Sequence, residues 1–300
     1  MGTWYPHPRS GGVFTYDTNW VVNGYALSPT FPLVTGAQPL VAEAGRIPQV
    51  FSDSAPDRWG KGVIQRAWQN EGRGKPSDID CLLAVNDRLR MGALRYTHDG
   101  EHLDTSSRIP KMLDLERLEA ATRRTENDLD DDEDIAVLFN AGSSLGGARP
   151  KAVIVDEHGH LMLAKFTSTK DTAETIAWEK VCLDIAARSG IRTPRSKLLR
   201  IANRPVLVMD RFDREYTNDG AEHRIGYMSA MTLVDETIAT LAQRAGVGPL
   251  FIESFEAAEH RPELAKVLAV LDALDIEPRA IPTPHPWTAG PDPDGTSHKL

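Results

Sequence analysis

Three features, met in chain order, have the chemistry to grip a polyphosphate. The segment AGSSLGGARPKA (141–152) is rich in Gly and Ser. Gly142, Gly146 and Gly147 leave backbone N–H groups uncovered, so the main chain can approach phosphate oxygens closely. Lys165, in the run LMLAKF, places an ammonium where α- and β-phosphate oxygens could meet it. Glu179, on the amphipathic stretch that follows, is positioned to hold that lysine. The stretch VLVMDRFDR (206–214) then offers main-chain groups around Met209 and Asp210 that could receive adenine. Each feature alone is ordinary. A Gly-rich stretch is usually only a loop, a lysine among apolar residues snorkels to water, and a helical glutamate is usually solvated. Their joint order is the stronger signal.

The elements that must position these residues are legible from pattern. KAVIVD and HLMLAKF alternate around Glu-His-Gly-His, which predicts a hairpin. ETIAWEKVCLDIAARSG (174–190) predicts a helix stopped by Gly190, with Pro194 beyond it. SKLLRIANRPVLVMDRFDR predicts two more strands around Ala-Asn-Arg-Pro. Loop, strand, strand, helix, strand, strand is the order of a protein-kinase small lobe, where donors surround the phosphates and a helix carboxylate holds a strand lysine.

The rest of the chain sets bounds. Its 300 residues fit about two domains on the rough expectation of one per ~150 residues, with 41% apolar content to build their cores. Net charge is −9, so any bound anion must meet a local site rather than a basic surface. No apolar run approaches the ~20 residues of a membrane span, and MGTWYPHPRS lacks the n- and h-regions of a secretory signal, so a cytoplasmic location is expected. Cys81 and Cys182 lie in apolar contexts and are expected to be buried thiols, not a disulfide or metal site. VFTYDTNWVV (13–22) reads as β structure, SDSAPDRWGKGVIQRAWQ (52–69) as a helix with an Asp-Ser-Ala-Pro entry, and MGALRY (91–96) as a further strand. From Pro110 to Phe139 the pattern is helical, interrupted by ENDLDDDED (126–134). That acidic stretch is expected to be a solvated helix end or loop without chemistry.

The run SSLGGARPKA, then AKF, a helix with WEK, and VLVMDRFDR before RIGYMSAMTL resembles the HipA family, the serine/threonine kinase toxins of bacterial HipBA toxin-antitoxin modules. FTYDTNWV, ALSPTFPL, FSDSAPDRWG and MGALRY resemble the β-rich N-terminal subdomain of that family. The resemblance implies an α+β fold with a β-rich N-terminal subdomain (1–108) and a kinase-like small lobe (109–234). By position it implies that Ser144, with Ser143 as the adjacent alternative, is the autophosphorylated serine. Gly146, Gly147, Lys151, Lys165, Glu179, Met209, Asp210 and Phe212 are the implied ATP-binding set. The implied cofactor is ATP with magnesium. The implied partners are a HipB-like antitoxin or a second HipA-type chain, with an aminoacyl-tRNA synthetase as the family's kind of target.

The chain departs from the family's pattern after Arg214. HipA proteins carry a loop resembling N-T-D-D-H-x-x-N and a later Asp for metal, but here the only asparagine beyond Arg214 is Asn218, in EYTNDG. A truncated kinase that holds ATP without transferring phosphate alone is therefore expected; the alternative is a non-catalytic fusion regulator of HipA or HipB partners or of operator DNA. LAQRAGV, FIESFE and HRPELAKVLAVLDALDI read as three short helices similar to a HipB-type helix-turn-helix (235–280), with Thr237, Gly246, Gly248, Pro249 and Pro262 as punctuation. Between Glu236 and Arg279 acids outnumber bases eight to four, which opposes DNA binding. A helical bundle packed on protein, with Leu250 and Phe251 exposed for contact, is the favoured reading of this segment. The tail (281–300) is expected to be disordered.

Overall fold

The computed structural model describes residues 1–7, 11–29, 31–40, 42, 46–98, 100–103, 109–142, 149–171, 174–229, 232–233, 238–248, 251–252 and 264–273. The expectations for Ser143, Ser144, Gly146, Gly147, Thr237, Pro249, Leu250, Pro262 and the tail fall outside these residues.

The chain opens with an antiparallel sheet of β1 (Gly2–Tyr5), β2 (Gly12–Tyr16) and β3 (Ala37–Leu40), in the order β1-β2-β3. Alternation along β2 turns Phe14 and Tyr16 inward onto Phe31, Leu40, Phe51 and Leu82. The expected β run ends early. Asp17 takes extended backbone angles as an N-cap, and α1 (Thr18–Asn23) uses the remaining residues through Val22. After α2 (Gln49–Ser52) comes α3 (Arg58–Asn70), where the Asp-Ser-Ala-Pro entry was expected, with Asp57 as its N-cap. Then α4 (Asp78–Ala84) starts on a Ser77–Asp80 capping box. MGALRY is not a strand: the chain bends at 91–93, where Gly92 bonds to Asp213 and Arg214 of the later chain. The short hairpin of β4 (Thr97–His98) and β5 (Glu101–His102) follows instead.

The helices α5 (Leu115–Glu126) and α6 (Asp132–Asn140) pack on each other, and α3 packs on α6. The acidic stretch between them does more than meet solvent. Asp131 caps α6, Asp134 pairs with Arg124, and Asp128 and Asp130 both pair with Arg66 of α3. Carboxylates at a helix N-terminus also suit its partial positive charge.

The second sheet is wholly antiparallel: β6 (Lys151–Val155), β7 (Leu161–Phe166), β8 (Ser196–Ile201) and β9 (Arg204–Asp210) in the order β6-β7-β9-β8. Between β7 and β8 lies α7 (Thr175–Arg188), followed by Gly190 at φ 80°. Strand alternation gives the sheet two faces. On one, Ala152, Ile154, Ala164, Phe166, Val206 and Val208 meet Val63, Leu118 and Leu138 from α3, α5 and α6. On the other, α7 covers Leu207 and Met209 through Ile176 and Leu183, while Leu89 and Met91 cover Val153 and Leu161.

Beyond the sheet, β10 (Arg214–Tyr216) and β11 (Glu222–Arg224) form a hairpin around the polar turn that holds Asn218. Farther on, α8 (Ile238–Ala245) ends at Gly246, φ 65°, and packs with α9 (Leu264–Ala273) around Leu241, Ala242, Ile252 and Val270. Phe251 packs against this cluster and so is not the exposed contact residue expected. Cys81 is buried as expected, but Cys182 is exposed, because it lies on the outward side of α7. Among the described residues no helix is long and apolar enough to cross a membrane.

Candidate functional site

The second face of the sheet carries the lysine and glutamate singled out by sequence, and they meet. Lys165 Nζ donates to Glu179 Oε1 at 2.6 Å, joining β7 to α7. The side chains are 25% and 28% exposed, so the ammonium remains within reach of a solute. In β6–β7 register, Lys151 stands directly opposite Lys165 on the same face. Its surroundings are very different. Lys151 and Asp57 form an ion pair with side chains only 3% and 6% exposed. Burial pushes the Asp57 carboxyl up and the Lys151 ammonium down, each shift opposed by the partner's charge. Asp57 serves two elements: Oδ2 takes Lys151, and Oδ1 accepts from Gly60 N at 2.7 Å to cap α3.

The described ends of the Gly-rich loop are pinned. Ala141 O accepts from Val153 N at 2.8 Å, and Pro150 O from Phe166 N at 3.0 Å. Gly142 has φ 61°, and a Cβ there would lie 2.4 Å from Leu89 Cδ1, so both its conformation and its neighbour demand glycine. The loop thus leaves α6 while touching the N-terminal region.

The predicted hinge residues divide between the faces. Met209 lies on the Lys165 face, against α7. Asp210, two strand positions from Val208, belongs to the opposite face and pairs with Arg195 at 2.6 Å. Phe212 is 57% exposed. Asp210 and Phe212 line a cavity of about 710 Å³ with Leu161, Met162, His160 and Tyr216, and Lys165 and Glu179 are not among its lining residues. The structure therefore brings Lys165, Glu179 and Met209 to one face and does not gather Asp210 with them.

Just past β9 lies a charged knot that sequence reasoning missed. Asp213, with no exposed surface, accepts from Arg211 at 2.6 and 2.8 Å, from Arg214 at 2.7 Å and from Gly92 N at 2.8 Å. Burial alone would raise the Asp213 carboxyl, but the Arg211 and Arg214 charges and these hydrogen bonds hold it below its ordinary range. Arg211 also donates to Leu89 O at 2.8 Å and Arg214 to Arg90 O at 2.8 Å. The available signal was the density of alternating charge in DRFDR beside an apolar strand. The partner segment, 89–92, has no polar side chain in the knot, only main-chain groups, and main-chain groups leave no trace in sequence.

The HipA N-terminal domain family matches residues 2–97, and the HipA-like C-terminal domain family matches residues 143–267. The chain belongs to the HipA family. It is also similar, at 15% identity and a TM-score of 0.55, to a chain of the Shewanella oneidensis MR-1 toxin-antitoxin complex of HipA, HipB and operator DNA. That alignment covers 91% of this chain and 64% of the other, so the chain spans under two thirds of the solved protein's length. No curated protein matches it.

The C-terminal HipA match runs through α8 to residue 267, so it takes in most of the segment that sequence reading likened to a HipB-type module. Those short helices are matched as a continuation of the HipA C-terminal domain. Among the described residues no cluster of three His, Cys, Asp or Glu side chains suits a metal ion.

Proposed function

We propose that this chain is the nucleotide-holding portion of a HipA-type serine/threonine kinase toxin component, and that it does not transfer phosphate by itself. The observation that carries the reading is the 2.6 Å Lys165–Glu179 pair on the face shared with Met209. A lysine oriented by a helix carboxylate meets phosphate oxygens as a fixed point charge, and charge-assisted contacts of this kind are the strong ones. ATP fits this arrangement: Lys165 would face its α- and β-phosphates, and the loop 141–152 would supply main-chain donors. Beyond Arg214 the sequence has a single asparagine, Asn218 in the turn EYTNDG, so the Asp-to-Asn pair by which protein kinases orient the acceptor hydroxyl and hold metal cannot be drawn from it, which supports the non-transferring reading. The presence of HipB in the similar solved complex supports a HipB-like partner. The net acidity of residues 236–279 argues against operator DNA as a direct ligand of that segment.

Calorimetric titration of the purified chain with ATP and with ADP tests the reading. Saturable binding is expected, weakened about tenfold or more by Lys165→Met through loss of one charge-assisted contact. No binding by the wild-type chain overturns it. Incubation with labelled ATP and magnesium, alone and with neighbouring gene products, separates the roles. Label on Ser144 from the chain alone contradicts the non-transferring reading, whereas label only with a partner identifies a split enzyme. No label in either case favours the regulator.

A further inference from the structure

We propose that the outward face of α7 is the surface on which a second copy of this chain docks, the two helices packing antiparallel about a two-fold axis that passes between Val181 and Cys182.

The helix α7 is apolar on two sides. Ile176 and Leu183 face the sheet. Trp178, Val181, Cys182 and Ile185 follow the i, i+3, i+4, i+7 spacing of one further helix face, and all four are exposed, the three large ones between 43% and 58%. A surface helix needs only one apolar stripe; a second, exposed stripe is the mark of an interaction surface.

This second stripe reads the same in both directions. It runs large, small, small, large. Antiparallel packing about its centre sets Trp178 of one copy level with Ile185 of the other, and puts the two smallest side chains where the helix axes come closest. An isologous interface demands such self-complementarity, whereas a surface shaped for an unlike partner does not. The charges at the two ends agree. Glu174 lies one turn before Trp178, Arg188 lies three residues past Ile185, and both are exposed. At about 100° per residue they fall on the same side of the stripe's midline, and a two-fold axis keeps them on one side of the helix pair. Their heights then match to within about one residue, roughly 1.5 Å. Each end of the pair thus sets Glu174 of one copy beside Arg188 of the other. Among the described residues neither side chain has an ion-pair partner within its own copy. Lys180 and Asp184, farther round the helix, already pair with each other and bring no like charge into the seam. The same geometry gives Cys182 a defined place. Helix axes about 8–10 Å apart, with Cα atoms on cylinders of radius ~2.3 Å, bring the Cys182 Cα atoms of the two copies within the ~4.4–6.8 Å that a disulfide spans. The other cysteine, Cys81, is buried and does not compete.

Sedimentation equilibrium of the purified chain over about 5–200 μM tests the proposal, a range suited to an interface of modest size. A monomer–dimer equilibrium is expected. Ile185→Asp, which would place a charge in the apolar seam, should raise the dissociation constant about tenfold or more. Glu174→Arg alone should weaken pairing about threefold, and adding Arg188→Glu should restore it to within about twofold of wild type, because the pair is then only reversed. Copper–phenanthroline in air, with dioxygen taking the two electrons that two thiols give up, should link Cys182 to Cys182 in the wild type and not in Ile185→Asp. Thermal melting checks that each variant is folded; should Ile185→Asp not fold, the charge reversal and the Cys182 link decide. A chain that stays monomeric throughout the range overturns the proposal. So does a dimer that folded Ile185→Asp leaves intact, a charge reversal without effect or without rescue, or a dimer in which Cys182 does not link. A monomer whose Cys182 resists maleimide labelling has a segment of its own chain on this face, which also overturns it. None of these readouts involves nucleotide, so failure here is distinct from failure of the nucleotide reading.

Discussion

The two flanks of the second sheet are held by opposite means. On the side of Leu89 and Met91, the N-terminal region is joined to the sheet and to the segment after β9 by buried charge: Asp57 with Lys151, and Asp213 with Arg211, Arg214 and Gly92 N. On the other side, α7 is fastened by Ile176, Leu183 and one half-exposed ion pair, while Val181, Cys182 and Ile185 face outward. Buried charge networks tolerate little displacement, because moving one member strands the others in a low dielectric. A helix held by a small apolar patch and a solvent-touched pair can shift at modest cost. The sheet therefore has a fixed flank, where Lys151 sits, and an adjustable flank, where Glu179 sits.

Three substitutions and a pH series bear on this contrast. The largest effect is expected for Asp213→Ala, which leaves Arg211 and Arg214 buried without their carboxylate and should cost about 3–5 kcal/mol in urea unfolding. A loss under about 1 kcal/mol, the scale of exposed pairs, would mean that the fixed flank is not held by charge. The same group sets an acid limit. Its carboxyl is depressed below 3.8, so its stabilisation is complete above that pH and disappears as pH falls through its lower folded-state value. Asp87, desolvated but held down by Arg95 and Arg224, acts in the same direction. Melting temperature should thus drop steeply below pH 3.8, and Asp213→Asn should flatten that slope. Gly142→Ala comes next. A left-handed φ and a Cβ set against fully buried Leu89 should cost about 1–3 kcal/mol, read as a lower urea midpoint. Smallest is Ile185→Ala on the outward side of α7, where 58% exposure leaves little packing to lose and the change should stay within about 0.5 kcal/mol. A cost above about 2 kcal/mol there, the mark of a buried side chain, would erase the contrast.

What sequence conveyed well was whatever has a period or a punctuation mark. The hairpin β6–β7, α7 with its Gly190 stop, and the pair β8–β9 follow from alternation and turn residues, and the spacing of Lys165 and Glu179 placed them where they meet. The entry to α3 was nearly as plain: the Asp-Ser-Ala-Pro signal lies just ahead of it, although the cap is Asp57, the residue after that signal. What sequence did not convey was where Asp57's second oxygen goes. Its partner lies 94 residues away, and only tertiary folding brings them together. MGALRY misled for a related reason: its apolar residues look like a strand, but the N–H of Gly92 goes to Asp213 and its carbonyl to Arg214, just after Leu89 and Arg90 have given their carbonyls to Arg211 and Arg214. The acidic stretch 126–134 misled in the other direction, because like charges in sequence were separated in space by Arg66 and Arg124.

The knot around Asp213 also bears on how this polypeptide can be handled at the bench. The two HipA matches, 2–97 and 143–267, invite a gene split between them. Yet Arg211 and Arg214 close their hydrogen bonds on carbonyls of residues 88–90. A C-terminal fragment expressed alone would lose those acceptors and bare the apolar face that Leu89 and Met91 cover, so subcloning should keep both halves in one reading frame.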